Sequence, residues 1–241
     1  MDPVYIVLSA ATAMFVIERR WPAVAQPPVP WWISRLVAFN ALQIGAVWLG
    51  AATWNRWLPG LRLVDGSVFG PLGGVAVGYV ATTFAFYWWH RARHEVPWLW
   101  RHLHRVHHSP VRIELAMSFY KHPAEIVVNS VLMSVLLFVV LGLAPATAAT
   151  VVAIAGVAEL VYHWNVRTPY WMGWLFQRPE MHRRHHERGH HRDNYSDLPL
   201  WDWLFGTFDN PREVPIECGY PRRRELDLVR LLTGGKLRNR S

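Results

Sequence analysis

Four stretches of this chain run without a charged residue: Pro3–Ile17 (15 residues), Leu36–Trp54 (19), Gly66–Trp89 (24) and Ile126–Ala158 (33). A helix needs about 20 apolar residues to cross a bilayer. The last stretch is too long for one crossing, because 33 residues at a rise of about 1.5 Å make roughly 50 Å. Gly142 and Pro145 interrupt it and predict a tight hairpin of helices over 126–143 and 146–164. The first stretch is short and lacks the small-residue cleavage site of a signal peptide. One such tract alone is compatible with a core helix of a soluble protein. Several of them, ending in Trp31, Trp32, Trp54, Trp57, Trp88 and Trp89, predict spanning helices with interfacial aromatic belts. The expected fold is all-α: an integral membrane bundle of about four or five transmembrane helices, the last two a hairpin, with a helical cap on one side.

Charge sets the expected orientation. With Arg19, Arg20 and Arg35 placed in the cytoplasm, only Arg56 and Arg62 of the 25 Lys and Arg residues fall outside. That bias accounts for the formal charge of +8 without any nucleic-acid partner. Arg222, Arg223 and Arg224, with the tail "KLRNRS", are placed to touch anionic headgroups or to lie in solvent. The chain has one cysteine, Cys218, which excludes an internal disulfide and thiolate metal clusters. It has 13 histidines, which leave imidazole chemistry open.

Those histidines gather where the greasy tracts end. His90 and His94 follow the third tract at spacing i, i+4 and share a helix face if the helix continues. Pro97 turns the chain, and a second short helix is expected to carry His104, His107 and His108. His163 closes the last tract. His182, His185 and His186 then repeat the word His-x-x-His-His. Nine imidazoles on one membrane face are too many for one ion and suit two. The two words are expected to form two walls of one two-metal site. His102, His122, His190 and His191 are read as surface, helix-start or loop residues, with His191 adjacent to the second word. "HERGH", residues 186–190, matches the zinc-protease pattern, but Gly189 weakens the helix that pattern needs.

The three words "HRARH", "HRVHH" and "HRRHH", with "LWRHLHRVHHSP", "HP" before a span, "HWN" after one, "DNYSD" and "WDWLFGTF", resemble the fatty acid hydroxylase superfamily, which includes sterol desaturases. The resemblance covers about 84–211. Departures are "NYS" where "NYG" is usual and "AMSFYK" where a threonine-rich run is common. The resemblance implies a membrane oxygenase with two iron ions on the cytoplasmic side, zinc being able to stand in for them. It implies a lipid substrate of sterol or fatty acyl type, hydroxylated or desaturated with O2. It further implies an external electron donor of cytochrome b5-like, ferredoxin or rubredoxin type. His90, His94, His104, His107, His108, His182, His185 and His186 would be ligands, with His163 the ninth. On this reading residues 1–89 are N-terminal transmembrane helices. Residues 90–241 form the histidine-box domain, including the hairpin 126–164 and a cytosolic C-terminal cap.

Carboxylates behind metal-bound imidazoles fix their orientation and basicity. Glu159, one turn before His163 inside an apolar span, is the candidate catalytic carboxylate. Glu95, Asp193 and Asp197 are weaker candidate supports, and Asn194 is a further one, shaping a turn with Tyr195 near the site. Trp201 and Trp203 in 198–208 are expected to lie on the interface. The competing readings are a non-catalytic metal-binding or metal-transport membrane protein, a membrane zinc protease acting through Glu187, and a bis-histidine haem protein.

Overall fold

The computed structural model describes residues 3–237; the basic tail 238–241 lies outside the described residues. The chain is helical, and the described residues include no strand beyond one isolated bridge between Glu187 and Cys218. Its longer helices are α1 (Pro3–Arg20), α2 (Trp32–Ala52), α3 (Gly70–Glu95), α4 (Pro97–His102), α5 (Pro123–Ser134), α6 (Pro145–His163), α7 (Pro179–His185), α8 (Pro199–Leu204) and α9 (Leu228–Thr233). Six of them, α1 and α4 to α8, begin at a proline. Its fixed φ suits the first helical position, and its missing N–H would have no partner there.

Four helical stretches are long and apolar enough to cross a membrane: Trp32–Leu61, Gly66–Glu95, Pro123–Val140 and Pro145–His163. This is an integral membrane protein. The Pro3–Ile17 tract extends as α1 into the charged turn Glu18–Arg20, which leaves it short of a crossing. It packs along α6. Glu18 is buried at its end and accepts the N–H groups of Leu115 (2.8 Å) and Asn165 (2.9 Å).

The predicted hairpin is present, with α5 continuing as a π-helical turn over Val135–Val140 before the bend. Gly142 makes that bend at φ +56°, where a Cβ would stand 2.0 Å from the Val64 carbonyl oxygen. Beyond the bend the arms take different partners: α5 packs along α2, α6 along α3. Gly74 and Gly78 let α3 and α6 approach closely. A Cβ at Gly78 would meet Val151 at 2.8 Å.

The tryptophans divide into two groups. Trp31, Trp57 and Trp88 are exposed, as interfacial residues are. Trp32 is buried and donates to Glu114, Trp54 donates to Ser134 and Trp89 to Asn129, so these three serve the interior instead. Arg35 is interior too, paired with buried Glu225 at 3.2 Å and with the Tyr120 hydroxyl. Around them Leu36, Phe39, Val106, Ile113, Met117, Cys218 and Leu231 form the core that clamps the first histidine word between α2 and the C-terminal segment.

Candidate metal centre

The end of α3 runs unbroken through His94 and presents His90 and His94 from successive turns. Pro97 starts α4 after the extended Val96, as expected. The first word is not on a helix of its own, however. It forms one tight turn, with the N–H groups of His107 and His108 both directed at the His104 carbonyl. The second word ends α7.

These elements bring all nine histidines together as two adjacent clusters. His90, His94, His104, His108 and His185 form one; His107, His163, His182 and His186 form the other. Within each, the candidate ligand atoms lie within 4.8 Å of one another. Each word feeds both clusters. The first gives His104 and His108 to the five-histidine cluster and lends His107 to the other. The second gives His182 and His186 to the four-histidine cluster and lends His185 back. Residues i and i+4 share a face, while i+3 and i+4 diverge by about 100°. The repeated word thus interlocks two sites, with stacked His108 and His186 (4.1 Å between ring centres) where they meet.

The rings share one polarity. Nδ1 of His90 faces the Tyr195 carbonyl (2.9 Å), His94 that of His191 (2.7 Å), His107 that of Tyr120 (3.2 Å), His163 that of Glu159 (2.9 Å) and His185 that of Asp193 (2.6 Å). A carbonyl only accepts, so each Nδ1 carries the proton. His104 Nδ1 likewise faces the buried carboxylate of Glu125 at 3.0 Å. The Nε2 atoms of these rings are therefore bare lone pairs turned inward. Two such pairs meet closely: His90 with His104 at 3.0 Å, and His107 with His163 at 3.3 Å. The Nε2 atoms of His94, His108 and His185 are buried with no partner at all. Facing lone pairs repel unless a cation lies among them. Burial above all, with neighbouring rings and, at His104, the Arg93 charge adding to it, depresses the pKa of His104, His107, His108, His182 and His186. Burial takes His185 down to about 3. Protons are thereby refused, and the neutral imidazole that binds metals is kept. The donor set fits one metal ion in each cluster.

The supports differ from those expected. Glu125, in the first turn of α5, holds His104 and pairs with buried Arg93. It is not among the carboxylates expected from the sequence. An acid at the edge of an apolar tract was the available signal. Glu159 lies one turn before His163 on the same helix, but its carboxylate pairs with Lys121, and its main-chain carbonyl is what receives the imidazole. Glu95 turns away to an exposed ion pair with Arg91. No Asp197 carboxylate contact to an imidazole is found among the described residues; its carbonyl accepts Gln177 N–H. Asn194 shapes the turn as expected and touches no imidazole. Its side chain bonds the Met181 and Asp209 carbonyls and the Asp209 N–H, and its φ is +51°.

His191 proves to support the first word as well as α3, through its ring on His108 (3.2 Å) and its carbonyl on His94. His122 caps α5 and donates to the Leu232 carbonyl; His102 stacks on Trp98. His190 sits apart with Asp193 and Asp209, and Arg184 pairs with that Asp209. The protease pattern fails in space: His186 belongs to the four-histidine cluster, His190 bonds Asp193, and Glu187 pairs with Arg184.

The profile of the fatty acid hydroxylase family matches residues 75–207, more than half of the chain and every one of the nine histidines. The chain belongs to the fatty acid hydroxylase family. Among curated relatives, an ornithine lipid hydroxylase from Rhizobium tropici is 32% identical over 57% of this chain and 42% of its own length. A very-long-chain aldehyde decarbonylase from Oryza sativa is 34% identical over 56% of this chain and 52% of its own. The alkylglycerol monooxygenase of Homo sapiens is 27% identical over 57% and 31%. The chain therefore spans about half or less of the length of these relatives. No solved structure matches it.

Proposed function

We propose that this protein is a membrane-bound di-iron oxygenase that hydroxylates or desaturates a sterol-type or fatty acyl lipid. It would use O2 and electrons from a separate donor protein of cytochrome b5-like, ferredoxin or rubredoxin type. The observation that carries the reading is the pair of interlocked clusters, five and four imidazoles with Nε2 directed inward. The relatives named for lipid hydroxylation and alkylglycerol oxidation point to the same lipid chemistry.

His90, His94, His104, His108 and His185 would hold one iron, and His107, His163, His182 and His186 the other. Imidazole coordination is compatible with iron, as it is with copper and zinc, and the oxygenase names among the relatives favour iron. Bound iron supplies the reduction of dioxygen and the removal of hydrogen from an unactivated C–H bond. The chain's own part is positional. Carbonyls of Tyr120, Glu159, His191, Asp193 and Tyr195 and the carboxylate of Glu125 fix the rings and raise their basicity. Burial of both words keeps water from the metals. Because the clusters lie at the ends of α3 and α6, a lipid reaches them from the bilayer. The positive-inside bias supports a cytoplasmic location for this face and the C-terminus.

The test joins metal analysis with turnover. Purified protein should carry two irons, show no haem absorption, and consume O2 when given a donor and the lipids that accumulate in cells lacking it. His107→Ala should empty the four-histidine cluster and stop turnover, and His185→Ala should weaken metal binding in the other cluster by about 10-fold and lower turnover. Full iron and turnover in both variants, or metal binding without O2 consumption under any donor, would end the proposal.

A further inference from the structure

We propose that α8 and the turn Tyr170–Phe176 form a lipid-inserting ledge, sunk among the acyl chains of the leaflet on the histidine side. The inference stands apart from the oxygenase reading.

Depth comes from register. Gly74 packs on Thr147 and Gly78 on Val151, so α3 and α6 run side by side with His90 roughly level with His163. The α6 helix has 19 residues; at the helical rise it measures about 28 Å, close to the roughly 30 Å hydrocarbon core. Its end at His163 then marks one boundary of that core. Thr83 lies two turns before His90, about 10 Å deeper.

At that depth α8 docks. Trp201 Nε1 donates to Thr83 Oγ1 (3.0 Å), Ser196 Oγ donates to the Thr83 carbonyl (3.2 Å), and the Trp201 ring meets Phe84 at 4.9 Å. Phe205 then climbs along Tyr87 (5.3 Å) and Trp88 (4.8 Å). What α8 leaves outside is wholly apolar: Leu200, Trp203 at 63% exposure, Leu204 and Phe205. The one charge in this segment, Asp202, is buried and turned inward. It accepts the N–H groups of Tyr195 and Ser196 and the Thr207 hydroxyl. The neighbouring turn adds exposed Trp171, Trp174, Leu175 and Phe176. This surface is continuous with the exposed Val80, Phe84 and Trp88 of α3, which face lipid. Exposed Arg167 and Arg212 flank it in sequence. Apolar area of this extent has no stable place in water, and a shallow helix of this pattern sits about 5–10 Å into the acyl boundary. Continuity with the spanning surface, and the depth of Thr83, favour lipid over a protein partner as its cover.

The test uses the full chain in phosphatidylcholine vesicles, with bimane attached at Trp203→Cys and, separately, at Leu200→Cys or Phe176→Cys in case one variant misfolds. Native Cys218 is buried, with its thiol pushed up to about 11, and stays unlabelled. Phosphatidylcholine brominated in the upper acyl chain should quench the ledge labels about two-fold or more, while aqueous iodide leaves them nearly unchanged, as expected for a label below the headgroups. A Glu217→Cys label should show the reverse. Ledge labels quenched by iodide and untouched by brominated lipid would overturn the proposal and make this face a water-exposed or protein-docking surface.

Discussion

In the five-histidine cluster, three rings give their Nδ1 protons to one loop, whose carbonyls at His191, Asp193 and Tyr195 alternate toward His94, His185 and His90. The loop can do this because His191, Asp193 and Asn194 all have positive φ (43°, 63° and 51°) and Asn194 ties it down. The four-histidine cluster has no such loop. His163 bonds back to its own helix, His107 to the neighbouring Tyr120, and the Nδ1 atoms of His182 and His186 are buried without partners. One cluster is held by hydrogen bonds from a wound loop, the other by packing at helix ends. The first has a ligand to spare and a support that can be removed; the second has neither.

The largest break in this contrast should come from ligands. His182→Ala leaves three imidazoles in its cluster, and metal affinity there should fall by more than about 100-fold, beyond the usual cost of losing a support. His94→Ala leaves four in the other cluster and should cost about 10-fold. Metal content of the two variants, measured after dialysis against a graded chelator, checks the order. Equal losses would mean that the clusters do not differ as their supports suggest.

Supports come next. Glu125→Gln should weaken metal binding in the five-histidine cluster by roughly 10–100-fold and leave the four-histidine cluster filled. It should also lower thermal stability, because buried Arg93 loses its anionic partner. Asn194→Ala should act on the same cluster through the loop, with a smaller loss of affinity. The readout is one metal retained per chain at chelator levels that strip the other.

Acid should unfold the metal-free protein, and the sign follows from the depressed imidazoles. In the unfolded chain they take up protons near their ordinary pKa of about 6.5. The folded clusters refuse those protons, His185 down to about 3. The stability this contributes is fully present above about pH 6.5 and is lost as pH falls toward the folded values, by about 1.4 kcal/mol per pH unit for each proton taken up on unfolding. Thermal unfolding at pH 8, 6 and 5 in one detergent should show Tm level at first and then falling. A Tm unchanged down to pH 5 would mean that the rings are charged or exposed.

Much of this was legible in the residues. Spans, hairpin and the nine-histidine set follow from apolar length and from the 3.6-residue period, which are local properties. The partition into five and four was not legible, because it depends on how two turns meet across the fold. The supports were missed for the same reason. Main-chain carbonyls carry no sequence signal, so five of the seven Nδ1 partners were invisible. Glu159 attracted attention as an acid in a span, yet it acts through an atom that every residue has. The left-handed loop at 191–194 was marked only by Asn and Asp, which tolerate that conformation.

Glu159 therefore gives the smallest expected effect and the sharpest check on the contrast. Its carbonyl holds His163 whatever the side chain, and its carboxylate is occupied by Lys121. Glu159→Gln keeps the helix and offers Lys121 an amide oxygen, so metal content should be unchanged and turnover should fall by less than about two-fold, within the spread of a weak polar contact. Glu95→Gln, at an exposed pair, should do no more. If Glu159→Gln instead stopped turnover while both metals stayed bound, the carboxylate would be acting on the reaction itself. The four-histidine cluster would then have the polar helper that its backbone-only supports deny it.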